Sequence, residues 1–109
     1  MEKLYVKYLK EYGYEEKFQI EKREFKINIS FKKLRDILIL LGHVLEENVE
    51  EQIYVVSIKA GLLGINNAII ICKMNTGKLI LVGFAREGVI KQHTCEKAMD
   101  KIEERCNAK

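Results

Sequence analysis

The chain contains no proline, no serine- or glycine-rich linker and no low-complexity segment, and no internal repeat is visible in it. An uninterrupted chain of 109 residues makes one domain, 1–109. No apolar run approaches the roughly 20 residues of a membrane-spanning helix, so no membrane partner is expected. The N-terminus, Met1-Glu2-Lys3-Leu4-Tyr5, lacks the basic, apolar and small-residue regions of a signal peptide. A cytoplasmic location is the expectation. Cysteine is scarce: the three present, an odd number, fit reduced thiols better than a disulfide framework.

Motifs that carry chemistry are also missing. His93-Thr94-Cys95 has the residue types of a metal or nucleophile pair, but positions two apart on a helix point about 200° apart and cannot share a ligand. Two histidines and three scattered cysteines make no zinc spacing. His43, after Gly42, is placed to meet a helix dipole. Thr76-Gly77-Lys78 looks like the end of a phosphate loop, yet strands are expected on both sides of it. No nucleophile–base–orienter set is apparent, so no cofactor and no catalytic residue are expected.

What is present is a folding pattern. The chain is 48% hydrophobic and 32% charged, enough apolar content for a core and enough charge to dissolve it. Leu4, Tyr5, Tyr8, Leu9 and Tyr12 make one helical face over residues 2–12, ended by Gly13. Alternation at Leu4, Val6 and Tyr8 also suits a strand, and the sheet face this segment covers is left open. Phe18 and Ile20, then Phe25, Ile27 and Ile29, alternate as half-buried strands, the second over 24–30, with Glu21–Glu24 as a turn between them. Ser30 is placed to cap a helix over 31–45. Its stripe, Phe31, Leu34, Leu38, Leu41 and Leu45, is widened by Ile37, Leu40 and Val44. That is more than one sheet face needs, so the helix lies deep or offers its spare edge to a partner. Strands are expected near 52–59, 67–74 and 78–85. Ala60–Ile65 bends and packs between the first two, and Asn75-Thr76-Gly77 turns between the last two. A final helix over 89–106 buries Cys95, Met99, Ile102 and Cys106. Cys72 reads as core.

The expected fold is therefore α+β: one curved antiparallel sheet of four or five strands with helices packed on one face. Residues 2–23 form an N-terminal extension to a β-α-β-β-β-α core over 24–106.

Charge is unevenly spread. Residues 17–35 are rich in lysine and arginine, whereas 46–51 carry Glu46, Glu47, Glu50 and Glu51. Lys32, Lys33 and Arg35 occupy a helical first turn, where the dipole favours anions.

Ala68-Ile69-Ile70-Ile71, then Thr76-Gly77-Lys78-Leu79-Ile80-Leu81-Val82-Gly83-Phe84-Ala85-Arg86, then a long helix, resembles one repeat of the TATA-box-binding protein family. The likeness spans about 24–106, its specific letters about 76–86. It implies a saddle whose concave sheet face binds the minor groove. This chain has one repeat, so a full saddle implies a homodimer. The family's wedge phenylalanines fall near Ile53 and Met74, neither aromatic. On this reading the chain is a non-enzymatic module for DNA or RNA. Its candidate contacts are Lys22, Arg23, Lys26, Lys32, Lys33, Arg35, Lys73, Lys78 and Arg86, gathered on one surface. It fails if the open sheet face is acidic or covered. The element order also resembles roadblock and longin scaffolds, which implies dimerisation or protein interaction through helix 31–45 or an edge strand.

Overall fold

Residues 2–60, 66–86 and 93–107 are described by a computed structural model. The elements are α1 (Glu2–Glu11), β1 (Glu21–Lys26), α2 (Phe31–Leu41), β2 (His43–Asn48), β3 (Ile53–Ala60), β4 (Asn66–Asn75), β5 (Lys78–Ala85) and α3 (Thr94–Cys106). The five strands form one antiparallel sheet in the order β1-β5-β4-β3-β2. The loop expected at Ala60–Ile65 and the start of the last helix fall partly outside the described residues.

Period-two alternation divides the core. Tyr54, Val56, Ile58, Ile70, Cys72 and Leu81 point to one face and are buried under α2 and α3. Ile53, Val55, Ile71, Val82 and Phe84 point to the other and are buried as well. That second layer is α1, through Tyr5 and Leu9, followed by Tyr14, Phe18 and Ile20 of the segment leading into β1. Phe84 stacks on Phe18 at 5.9 Å and meets Tyr14 edge-on at 5.3 Å. The helical layer expected on one face is made by α2 and α3. The first segment is the helix, not the strand, and it lies on the opposite face.

Local chemistry explains several boundaries. Ser30 Oγ accepts the backbone N–H of Lys33 at 3.0 Å and starts α2. Gly77, at φ +71, supplies the left-handed residue of the two-residue β4–β5 turn. Cys95, Met99, Ile102 and Cys106 form the buried stripe of α3, and Cys72 is fully buried.

Three expectations are corrected. The helix read over 31–45 ends at Leu41, and residues 43–48 form the edge strand β2. Gly42 is the cause: a Cβ there would lie 2.1 Å from the Ser57 carbonyl oxygen, so the backbone passes against β3 at this point. Of the two strands read around a Glu21–Glu24 turn only one forms: β1 begins at Glu21, and Phe18 and Ile20 precede it outside any strand. The strand read over 24–30 stops at Lys26, and Ile27 donates its N–H to the Gly77 carbonyl at 3.0 Å.

Two tyrosines tie the layers together. Tyr12 donates its hydroxyl to Glu46 Oε1 at 2.8 Å, joining the end of α1 to β2. Burial, and then this bond to a carboxylate, push its phenol from 10.0 up to about 12. Tyr54 donates to the Phe31 carbonyl at 2.8 Å; burial first, then the Glu47 charge, push it to about 12. A phenol raised in the folded state contributes stability below its unfolded value and loses it as pH climbs through its folded value. Stability is therefore expected to hold up to about pH 10 and to fall between about 10 and 12. Urea-unfolding midpoints across that range check it, with Tyr12→Phe falling less steeply.

Candidate interaction surface

The nine candidate cations do not gather on one surface. Register places Lys22 opposite Val82, Lys26 opposite Lys78, and Lys73 opposite Ile80. These four lysines share the face covered by α1. Arg23 is opposite Leu81 and so points to the α3 face. There its guanidinium meets Asp100 at 2.7 Å and Glu103 at 3.3 Å. Lys32, Lys33 and Arg35 project from α2, where Arg35 lies 3.4 Å from Glu47. Arg86 follows β5, donates to the Gly13 carbonyl at 3.0 Å and lies over the Phe18 ring.

Counter-charges reduce the field further. Lys78 pairs with Glu24 at 3.0 Å and Lys73 with Glu51 at 3.9 Å, Lys73 also donating to the Glu51 carbonyl. Arg23 and Arg35 have carboxylate partners as well. The sheet face needed for groove binding is not open: Ile53, Val55, Ile71, Val82 and Phe84 are each 2% exposed or less beneath α1 and the 12–20 segment.

Cys72 and Cys106 offer no reactive thiol. Burial pushes the Cys72 thiol up and raises Cys106 to about 11, so both stay protonated at neutral pH. His43 is exposed at the start of β2, and His93 is exposed ahead of α3. No group of three or more metal-ligating side chains occurs among the described residues. No described helix is long and apolar enough to cross a membrane.

A different surface stands out. Among the described residues the exposed large hydrophobics are Ile39 (51%), Leu40 (74%), Leu45 (41%) and Val49 (60%), all within residues 39–49. They run from the end of α2 along β2 and into the turn after it. A groove of about 410 Å³ lies between Arg35 and Ile39 of α2 and Val44, Leu45 and Glu47 of β2. Ile39 and Leu45 share this groove, and grouped exposed apolar side chains mark interaction sites in folded proteins.

The two sheet edges are built differently. β1 presents Lys22, Glu24 and Lys26, a charged edge of the kind that discourages strand addition. β2 carries a bulge between Val44 and Glu46 that leaves Leu45 without a partner on β3. The bulge discourages further strand pairing and turns a leucine outward. The spacing of Leu40 and Leu45 predicts one helical stripe wider than a sheet face needs; the structure splits that excess between α2 and the edge strand β2.

No family model matches this chain, and no curated protein or solved structure is significantly similar to it. The architecture is that of a small α+β module, compatible with TATA-binding-like and with roadblock or longin folds alike.

Proposed function

We propose that this chain is a non-enzymatic protein-interaction module that docks through the outer face of α2 and the adjoining edge strand β2. One observation carries this reading: the exposed large hydrophobics of the described residues fall together at 39–49, with Leu40 three-quarters exposed. Leaving such side chains in water gives up about 25 cal/mol for each Å² of apolar surface that a partner would cover. The charged rim supports the same reading, because apolar centres ringed by polar groups are the common anatomy of protein interfaces. Arg35, Glu47 and His43 provide that rim.

A photo-crosslinking residue placed at Leu40 of the full chain in its native cells tests the proposal. Polypeptide adducts are expected at position 40 and not at the exposed Lys7 of α1. An absence of adducts at 40, or adducts that nuclease alone removes, contradicts it.

Nucleic-acid binding is the second reading, and one observation favours it. Lys26 and Lys78 stand directly opposite each other across β1 and β5, and like charges so placed repel. Glu24 offsets part of this, and an anion would offset the rest. Such binding would use the end of the sheet and not its covered face. It would weaken with salt and be lost in Lys26→Glu and Lys78→Glu. Fluorescence anisotropy with single- and double-stranded DNA and RNA at two salt concentrations separates the readings. Salt-insensitive, negligible binding is the result expected for a protein-interaction module.

A further inference from the structure

Helix α2 carries its charge against its own dipole. Lys32, Lys33 and Arg35 lie at its amino end, which has no acidic residue in the first turn. Its carboxyl end has no basic residue in the last turn. Cations are stabilising at a helix carboxyl end and destabilising at the amino end. The apolar side chains Ile39 and Leu40 sit at the end that lacks cations.

An antiparallel second α2 reverses each of these relations. We propose that the occupant of this surface is a second copy of the chain, packed about a two-fold axis so that the two α2 helices run antiparallel. The proposal rests on the interaction surface described above and names its partner. With the axis level with Leu38, Arg35 stands level with the partner's Leu41, the last residue of α2. The basic turn of each copy then lies beside the carbonyl end of the other, where a cation is favourable. Ile39 and Leu40 of both copies lie within about 3 Å of the axis level, at a rise of about 1.5 Å per residue. Their apolar surfaces cover one another at the centre, and the charges fall to the two ends.

The remaining groups on this face fit the arrangement. Asp36 follows Lys32 and Lys33 by one helical turn, so its charge is offset within its own helix by spacing. Arg35 touches Glu47 through Nε, and its side chain is half exposed, which leaves the rest of the guanidinium free to reach outward. Glu46 is held by Tyr12 on the other face of the sheet. The bulge at Leu45 disfavours a continuous sheet across the axis, so the contact is side-chain packing of α2 with Leu45 at its border. A two-fold contact closes at two copies, and among the described residues the charged β1 edge discourages further strand pairing.

Sedimentation equilibrium of the full chain tests this, read together with the crosslinker at position 40. A dimer is expected. Leu40→Glu is expected to weaken it about 100-fold, the loss typical of a central apolar contact removed in both copies. Lys33→Gln is expected to weaken it several-fold, and Lys7→Glu to leave it unchanged. Leu40 is three-quarters exposed, so Leu40→Glu folds, and unchanged circular dichroism and urea midpoints verify that. A chain that stays monomeric at every concentration but crosslinks from position 40 to another protein overturns the second copy and leaves the interaction surface standing. A monomer with no adduct at position 40 overturns both. A dimer indifferent to Leu40→Glu overturns the placement of the interface.

Discussion

Phe84→Ala is expected to destabilise the protein by about 3–5 kcal/mol, the range for deleting a buried aromatic side chain. Phe84 is 1% exposed in β5 and is the point where the N-terminal layer is fastened to the sheet. Its ring is stacked by Phe18 and met on edge by Tyr14. Beside these, Gly13 carries φ +97, and its carbonyl accepts from Arg86. The substitution removes the wedge that all these contacts share. Chemical-shift and exchange changes should therefore spread through α1 and residues 12–20 before they reach α2 or α3. Equilibrium urea unfolding gives the magnitude, and Phe84→Leu should recover more than half of it. A loss below about 1 kcal/mol would mean that the second core layer does not hold the fold.

Gly42→Ala is expected to cost about 3 kcal/mol, at the upper end of overpacking losses, for a different reason. The backbone at Gly42 is extended, so the cost is not one of left-handed strain. An added Cβ would lie 2.1 Å from the Ser57 carbonyl oxygen and 3.1 Å from Ile58 Cγ1. The first neighbour is backbone in β3, paired on its other side to β4, and it has little freedom to move. The edge strand must shift instead. Because β2 carries Leu45 and one wall of the groove, this substitution should damage the interaction surface as well as stability. Gly77→Ala is the useful comparison: nothing lies within 4 Å of its added Cβ, so only its φ of +71 opposes the change. That conformational cost is about 1 kcal/mol. Urea midpoints of the two variants give the comparison. Equal losses would contradict the close approach at Gly42.

Much of this architecture was legible in the residues. The β4–β5 hairpin was visible because Asn75-Thr76-Gly77 supplies a turn with a positive φ between two apolar runs. Ser30 announced the start of α2, and its hydroxyl does cap the helix. The end of α2 was not legible. Val44 and Leu45 continue the three- and four-residue spacing of Phe31, Leu34, Leu38 and Leu41, so periodicity ran straight through Gly42. What stops the helix is the approach of β3, a tertiary contact that local spacing does not encode. Burial of Tyr5 and Leu9 followed from their helical spacing, but spacing says only that a face is covered. Which side of the sheet covers it depends on the route of residues 12–20.

The candidate cations show the same limit at shorter range. Lys22 and Arg23 are adjacent in sequence, which suggests one basic cluster. In a strand, adjacent side chains point to opposite faces. Arg23 consequently meets Asp100 and Glu103 of α3, 77 and 80 residues away, while Lys22 points to the α1 side. The interaction surface was half legible. The stripe of helix 31–45 was too wide for one sheet face, and its surplus residues Leu40 and Leu45 are two of the exposed hydrophobics. That surplus is divided between a helix and a bulged edge strand.

Hydrogen–deuterium exchange of the full chain, compared between dilute and concentrated solutions, tests the α2–β2 surface most directly. Association of two copies through it slows exchange in α2 and β2, residues 31–49, as concentration rises, and leaves β1 and α3 unchanged. Exchange that does not depend on concentration anywhere, or protection that appears at β1 instead, would contradict the pairing of two copies through this surface.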